Sequence, residues 1–328
     1  MKLLLKIVGA LVVLLLVVAA AGLGYLFVAY PNVPLIEGYK IEATPERLAR
    51  GKYLNDHVVL CTDCHTPRDW TKFTGPIKRE RLGAGGAEFS LGPAGMVFSK
   101  NITPAAIGSW SDAELYRAVT SGVSKDGTPL FPVMPYPHFG VLSEDDIQSV
   151  LAYIRTLAPI ENSAIPARTL NFPLPLIVRT IPAVASHQPR PSPQDKVAYG
   201  RYMTRAALCS DCHTPIDDQG TPLPGMDFAG GMEIVETGYR VRAANITPDA
   251  DTGIGTWTEQ QFIDKFKAFE NVPPQTLSEA ERRQNTPMPI ASYAGMTRED
   301  LSAIYAFLRT QKPVVNRVTK FPDAQPTK

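Results

Sequence analysis

The chain has no cysteine to spare. All four of its cysteines fall in two short stretches, so none is left for a structural disulfide, and cysteine usage alone assigns no redox compartment. It has no basic stripe either. Its 33 Lys and Arg nearly balance 32 Asp and Glu, for a net charge of +1, so nucleic acid is not expected as a partner. It lacks an alternating apolar–polar run of any length, so no strand is predicted. From Ile7 to Tyr30, 24 residues, it has no charge at all. As a helix that run would reach about 36 Å, enough for a ~30 Å hydrocarbon core. Lys2 and Lys6 precede it, which keeps that end cytoplasmic and exports the remainder. A cleaved signal peptide competes with this reading, because Ala19-Ala20-Ala21 offers a cleavage site. The apolar run continues past that site through Leu23, Tyr25, Leu26, Phe27 and Val28, which fits an uncleaved anchor over residues 1–30 better.

What is present is a duplicated pattern. Cys61-Thr62-Asp63-Cys64-His65-Thr66-Pro67 is matched by Cys209-Ser210-Asp211-Cys212-His213-Thr214-Pro215. Each reads C-x-x-C-H, the attachment signature of c-type haem. Two thiols one turn apart reach the two vinyl groups of one porphyrin, and the following His brings an imidazole to the iron. A redox dithiol does not need the His. A single zinc site pooled from both pairs would leave both His residues and the matched flanks unexplained. Two covalently bound haem c groups are therefore expected.

The flanks repeat as well. Arg50-Gly51-Lys52-Tyr53 corresponds to Tyr199-Gly200-Arg201-Tyr202, and the matched Gly51 and Gly200 predict a close helix crossing. Gly85-Gly86 corresponds to Gly230-Gly231, and Asn101-Ile102-Thr103-Pro104 to Asn245-Ile246-Thr247-Pro248. Both Asn residues fit an N-x-T glycosylation pattern, but a shared structural turn explains an identical tetrapeptide better. Trp110 and Trp257 follow, each before a capping box, Ser111 with Glu114 and Thr258 with Gln261. Each Trp is a candidate contact for a haem edge or propionate, or an ordinary core residue. The last helices begin at Ser143 and Thr297, with apolar stripes Ile147, Val150, Leu151, Ile154 and Leu301, Ile304, Tyr305, Leu308.

This organisation predicts an all-α chain. After the anchor come a connector (31–43), a first unit (44–158), a Pro-rich linker (159–193), a second unit (194–312) and a tail (313–328). Thr44-Pro45 reads as the first unit's helix start. The linker reads as extended and stiff, with an apolar middle, Phe172 to Ile181, that packs on something or else serves as a plain spacer.

A haem iron with one His needs a second ligand or keeps an open site. Met134-Pro135 and Met288-Pro289 each stand nine residues before the cap of the last helix, Ser143 and Thr297. That shared register selects Met134 and Met288 as axial ligands opposite His65 and His213. Met296 is the runner-up in the second unit. Met96, Met203, Met226 and Met232 are out of register. His57, His138 and His187 have no counterparts, and His138 is the alternative ligand in the first unit.

Together these features resemble dihaem members of the cytochrome c family with class-I-like domains. They resemble in particular the membrane-anchored cytochrome subunits that serve bacterial alcohol, gluconate and aldehyde dehydrogenases. The resemblance rests on the C-x-x-C-H-T-P motifs, the N-I-T-P turn with its downstream Trp, and the M-P pair before the last helix. It implies two class-I-like cytochrome c domains in tandem and electron transfer rather than catalysis. It makes Cys61, Cys64, Cys209 and Cys212 the thioether sites, His65 and His213 the proximal ligands, and Met134 and Met288 the distal ones. The expected protein is a single-pass dihaem cytochrome of the bacterial inner membrane with its haem domains on the periplasmic side. A dehydrogenase or quinol-oxidising complex would be its donor, and an oxidase or soluble cytochrome its acceptor. The alternative is a dihaem peroxidase with one open haem, which two matched Met-Pro pairs disfavour.

Overall fold

Local capping rules set most helix boundaries in this computed structural model, which describes residues 1–217, 220–236 and 239–322. The end of the expected tail, residues 323–328, lies outside the described residues. Helix α1 (Lys2–Ala29) has no buried residue. It is the one helix among the described residues that is long and apolar enough to cross a membrane. The first half continues with α2 (Pro45–His57), α3 (Cys61–Cys64), α4 (Pro104–Ile107), α5 (Asp112–Ser121), α6 (Tyr136–Phe139) and α7 (Glu144–Ile154). A single turn, α8 (Leu174–Ile177), lies in the intervening segment. The second half holds α9 (Lys196–Ala206), α10 (Cys209–His213), α11 (Glu259–Lys267), α12 (Glu279–Arg282), α13 (Ile290–Tyr293) and α14 (Arg298–Leu308). Thr44 caps α2 by accepting from Arg47 N, with Pro45 as the first helical residue. Both predicted capping boxes are formed, on α5 and α11. Ser143 and Thr297 cap α7 and α14 through Asp146 N and Asp300 N.

The core of each half is a crossing of its first and last helices at glycine. A Cβ on Gly51 would stand 1.9 Å from the Ser149 carbonyl oxygen of α7, and one on Gly200 would stand 1.8 Å from that of Ala303 in α14. Only glycine lets the backbones approach so closely, as the matched positions predict. The apolar stripes face inward: Ile147, Val150, Leu151 and Ile154 are at most 2% exposed, each contributing about 2 kcal/mol of burial. In α14 Leu301, Ile304 and Leu308 are likewise buried, at most 4% exposed, while Tyr305 of the same stripe is half-buried.

The all-α expectation needs correction. Among the described residues the chain is 42% helix but also 8% strand. Strands β1 (Glu88–Ser90), β2 (Gly95–Phe98) and β3 (Thr169–Leu170) form an antiparallel sheet in that order, and β4 (Glu233–Glu236) pairs with β5 (Tyr239–Arg242). None exceeds four residues, too few for an alternation pattern to register. Tertiary pairing makes them: Gly95, at φ 129°, has no room for a Cβ beside the Thr169 carbonyl.

The Pro-rich segment is a strap on the first half. Its Asn162 donates to Ala84 O at 2.8 Å, Arg168 to Pro129 O at 2.7 Å, and Ser186 N to Gly140 O at 2.8 Å. In the second half Asn316 donates to Ala229 O at 2.9 Å, the counterpart of the Asn162 contact and a matched pair that sequence reading overlooked. The apolar middle packs only in part. Val178 is 1% exposed, whereas Phe172 is 83% exposed.

The halves meet along a seam with approximate two-fold character. Tyr202 donates to Asp146 Oδ2 at 2.6 Å, and Tyr53 donates to Asp300 Oδ2. Met288 stands 31 positions after Trp257, whereas Met134 stands 24 after Trp110, and the second half's additional residues in that stretch cross to the first half. Phe73 N donates to Gln275 O and Leu277 N to Thr71 O, both at 2.9 Å. Buried Asn285 accepts from Thr74 N at 2.8 Å and donates to Lys72 O at 3.1 Å.

Candidate functional site

Each cysteine motif starts with a leucine in the left-handed region, Leu60 at φ 55°, ψ 36° and Leu208 at φ 55°, ψ 30°. A non-glycine residue is held there only by its surroundings, and here it turns the chain sharply out of α2 and α9 into a one-turn helix. Cysteines three apart on such a turn share a face. The Thr after each His fixes the exit. Thr66 Oγ1 accepts from Gly83 N at 2.9 Å, and Thr214 Oγ1 from Phe228 N at 3.1 Å. Cys61 packs in one apolar cluster with Val59, Val119, Phe139, Ile147 and Val150.

The two histidines are held alike. His65 Nδ1 lies 2.6 Å from the Lys100 carbonyl oxygen, and His213 Nδ1 lies 2.7 Å from that of Ala244. A carbonyl only accepts, so each Nδ1 carries the proton and donates. Burial pushes both imidazoles below their ordinary pKa, against the opposing pull of those carbonyls. Each ring is thus neutral near pH 7 with its Nε2 lone pair available, the tautomer a metal-ligating His needs. The carbonyl is aimed by the next residue. Asn101 Oδ1 accepts from Thr103 N at 2.8 Å and Oγ1 at 2.7 Å, while its Nδ2 donates to Ile160 O at 2.7 Å. Asn245 repeats this with Thr247 at 2.9 and 2.7 Å and with Val314 O at 2.8 Å. Both Asn residues are buried, which makes the N-I-T-P tetrapeptide a structural turn.

The thiols are held in their protonated form. Burial pushes the Cys61 thiol up to about 12. Burial, with the Cys61 and Cys212 thiols adding, pushes Cys64 up to about 12. An attacking redox sulfur is instead a low-pKa thiolate. Among the described residues no group of three or more His, Cys, Asp or Glu converges as a metal cluster.

Met134 and Met288 occupy matching loops before α6 and α13 and are half-buried. Their carbonyls accept from Tyr136 N and Ile290 N, both at 2.8 Å, and the prolines between adopt the same conformation, Pro135 at ψ 46° and Pro289 at ψ 52°. Met134 packs against the core cluster that includes Cys61. The runner-up Met296 is 1% exposed in that core, and Met203 is fully buried on the inner face of α9. Met96 is taken up in β2. The other histidines have partners: His57 Nδ1 meets Ser292 O at 2.9 Å, His138 Nε2 meets Asp211 Oδ1 at 3.1 Å, and His187 bridges Tyr116 and Leu142. Trp110 and Trp257 are half-buried against the core.

The two motifs face one another across the seam. Ser292 donates to Asp63 Oδ1 at 3.1 Å, and His138 meets Asp211. Asp63 and Asp211 are the third residues of their motifs, and His138 and Ser292 each stand four residues after the motif-paired Met. Each motif therefore grips the opposite half at an equivalent place. Tyr293 donates to Ala207 O at 2.6 Å, and burial, with the Cys209, Cys212 and Cys64 thiols adding, raises its pKa. Sequence reading left Asp63, Asp211, Tyr53 and Tyr202 without a role. Their repetition was visible, but their partners lie on the other half.

No protein-family model matches the chain. It is 29% identical over 315 residues to the cytochrome subunit of fructose dehydrogenase from Gluconobacter japonicus, covering 86% of this chain and 58% of that one. It is 30% identical over 244 residues to the cytochrome c subunit of gluconate 2-dehydrogenase from Pantoea cypripedii, covering 68% and 52%. A diheme cytochrome c-type protein of Cereibacter sphaeroides is 26% identical over 197 residues, 57% of this chain and 63% of that one. The chain thus spans little more than half the length of the first two relatives. Its homologues are cytochrome c subunits of fructose, gluconate and alcohol dehydrogenases, together with a dihaem cytochrome c, at moderate identity over much of the chain.

Proposed function

We propose that this protein is a membrane-anchored dihaem cytochrome c built from two class-I-like domains, 44–158 and 194–312. It carries electrons from a dehydrogenase or quinol-oxidising complex to an oxidase or soluble cytochrome and catalyses no substrate conversion itself. The observation that carries this reading is the matched pair of hydrogen bonds from His65 Nδ1 to Lys100 O and from His213 Nδ1 to Ala244 O. They prepare two Nε2 lone pairs, each directly after a pair of thiols.

In this reading Cys61 and Cys64 hold one haem c, and Cys209 and Cys212 the other. His65 with Met134 would hold one iron, and His213 with Met288 the other. Haem c, when bound, supplies a one-electron iron couple, and thioether ligation raises its potential and closes the site to small ligands. The protein's part is to bind, orient and shield. The contacts of Asp63 and Asp211 with the opposite half brace the two motifs against each other, which favours transfer within the chain. Helix α1 anchors the protein in the inner membrane with Lys2 and Lys6 cytoplasmic and the haem domains periplasmic. The relatives, which are named as subunits of dehydrogenases, support a dehydrogenase partner.

Purification from membranes tests this. The expected preparation carries two covalently bound haems per chain by mass and by pyridine haemochrome absorbance, both low-spin, and does not turn over hydrogen peroxide. A single haem, or a high-spin haem with peroxidase turnover, refutes it.

A further inference from the structure

The strap between the halves has an uncovered apolar stretch that touches the end of α1. From Asn171 to Val184 it carries one charged residue, Arg179. Phe172 is 83% exposed, Ile177 46%, Ile181 37% and Val184 64%. The stretch is nonetheless held in place. Asn171 N donates to Ala94 O at 3.0 Å and Asn171 Nδ2 to Pro93 O at 2.8 Å; Val178 is buried, and Ser186 N donates to Gly140 O. Fixed apolar side chains left in water are unfavourable, and such a patch marks a contact surface.

Its one cation identifies what covers it. Arg179 Nη2 donates to Tyr30 O at 2.5 Å and to Phe27 O at 3.3 Å, and its guanidinium lies 4.5 Å from the Phe27 ring centroid. Phe27 and Tyr30 close α1, where Tyr25 and Tyr30 pack edge to face. Aromatic residues at the end of a span sit at the headgroup level, and Arg keeps its charge there while its stem lies against apolar surface. Side chains fixed beside that end share its depth.

We infer that residues 171–184 lie in the outer interface of the lipid bilayer as a second, in-plane contact beside α1, with Phe172, Ile177 and Ile181 entering the acyl boundary. This rests on the reading of α1 as an uncleaved anchor. The contact would hold the first half against the membrane surface, whereas a single span would leave it swinging on the connector.

The test uses the full haem-loaded chain in lipid nanodiscs containing a phosphatidylcholine with a diazirine on its acyl chain, irradiated and mapped by mass spectrometry. The expected result is lipid adducts on α1 and on the 171–184 peptide. Adduct yield on that peptide should be several-fold above yields at Val272 and Val315, which are equally apolar and exposed but outside the strap. Labelling of α1 with 171–184 at the Val272 background overturns the inference and leaves the anchor standing. Absence of adducts on both overturns the anchor as well. Lipid labelling of α1 with 171–184 shielded by a co-purified protein or a second copy of the chain also overturns it.

Discussion

The Tyr202 hydroxyl donates to Asp146 Oδ2 at 2.6 Å across the seam between the halves, and lies 3.2 Å from the backbone nitrogen of Ser143, which donates to it. Tyr53 makes the same pair of contacts in the other direction, to Asp300 and from Thr297 N at 3.1 Å. Each half thus caps the last helix of the other with a tyrosine from its first helix. A buried hydrogen bond to a charged group is worth about 2 kcal/mol. Tyr202→Phe and Tyr53→Phe are each expected to lower unfolding free energy by roughly that amount. Urea denaturation of the haem-loaded protein measures it, and unchanged midpoints for both variants would show the seam to be unimportant.

Acid should open the same seam. Burial pushes the Asp146 carboxyl up, but hydrogen bonds from Arg50 and Tyr202 and the charges of Arg50 and Arg190 outweigh it and hold the group below the usual carboxylate value. A carboxyl depressed in the folded state contributes stability above its unfolded value and loses it as pH falls through the folded one. Stability should therefore fall below about pH 4. Asp146→Asn should reduce stability at neutral pH and flatten that acid limb, read as denaturation midpoint against pH. An Asn variant with an unaltered limb would assign the acid sensitivity elsewhere.

Glycine at the helix crossings should be irreplaceable. Helix propensity alone favours Ala over Gly by about 1 kcal/mol. A Cβ inside 2 Å of the Ser149 or Ala303 carbonyl forces the helices apart, at about 3 kcal/mol. Gly51→Ala and Gly200→Ala are expected to destabilise on balance, with lower thermal midpoints and less holoprotein recovered. A rise in midpoint would place the crossings farther apart than described.

Methionine substitutions separate the ligand candidates. Met134→Ala and Met288→Ala should each lower the potential of one haem and let it bind carbon monoxide. Met296→Ala removes a fully buried side chain and should cost about 3 kcal/mol with potentials and spectra unchanged. Carbon monoxide binding by the Met296 variant and not by the Met288 variant would exchange their roles.

Much of the candidate site is readable from the sequence because its chemistry is local. The thiols and the His share one turn, Thr44, Ser111 and Ser143 cap helices a residue away, and the i, i+3, i+4 stripes of α7 and α14 need only helical period. The matched Gly51 and Gly200 were readable because duplication turns an unusual residue into a repeated one. The short strands were not readable. Two to four residues carry no period, and β3 exists only because the strap returns to β2. Nor was the Lys100 carbonyl, since any residue supplies one and only the turn at Asn101 aims it.

By itself the sequence determined the duplicated C-x-x-C-H motif, the helical frame around each copy and an apolar leading segment, because each depends on residues adjacent along the chain or one helical turn apart. Tertiary structure alone decided which carbonyl selects each imidazole tautomer, how the second half's added residues reach the first, and that the two motifs face each other through Asp63 and Asp211. Those contacts join groups separated by tens to hundreds of positions. Such pairings depend on how two folded surfaces meet, which leaves no periodic trace in the order of residues.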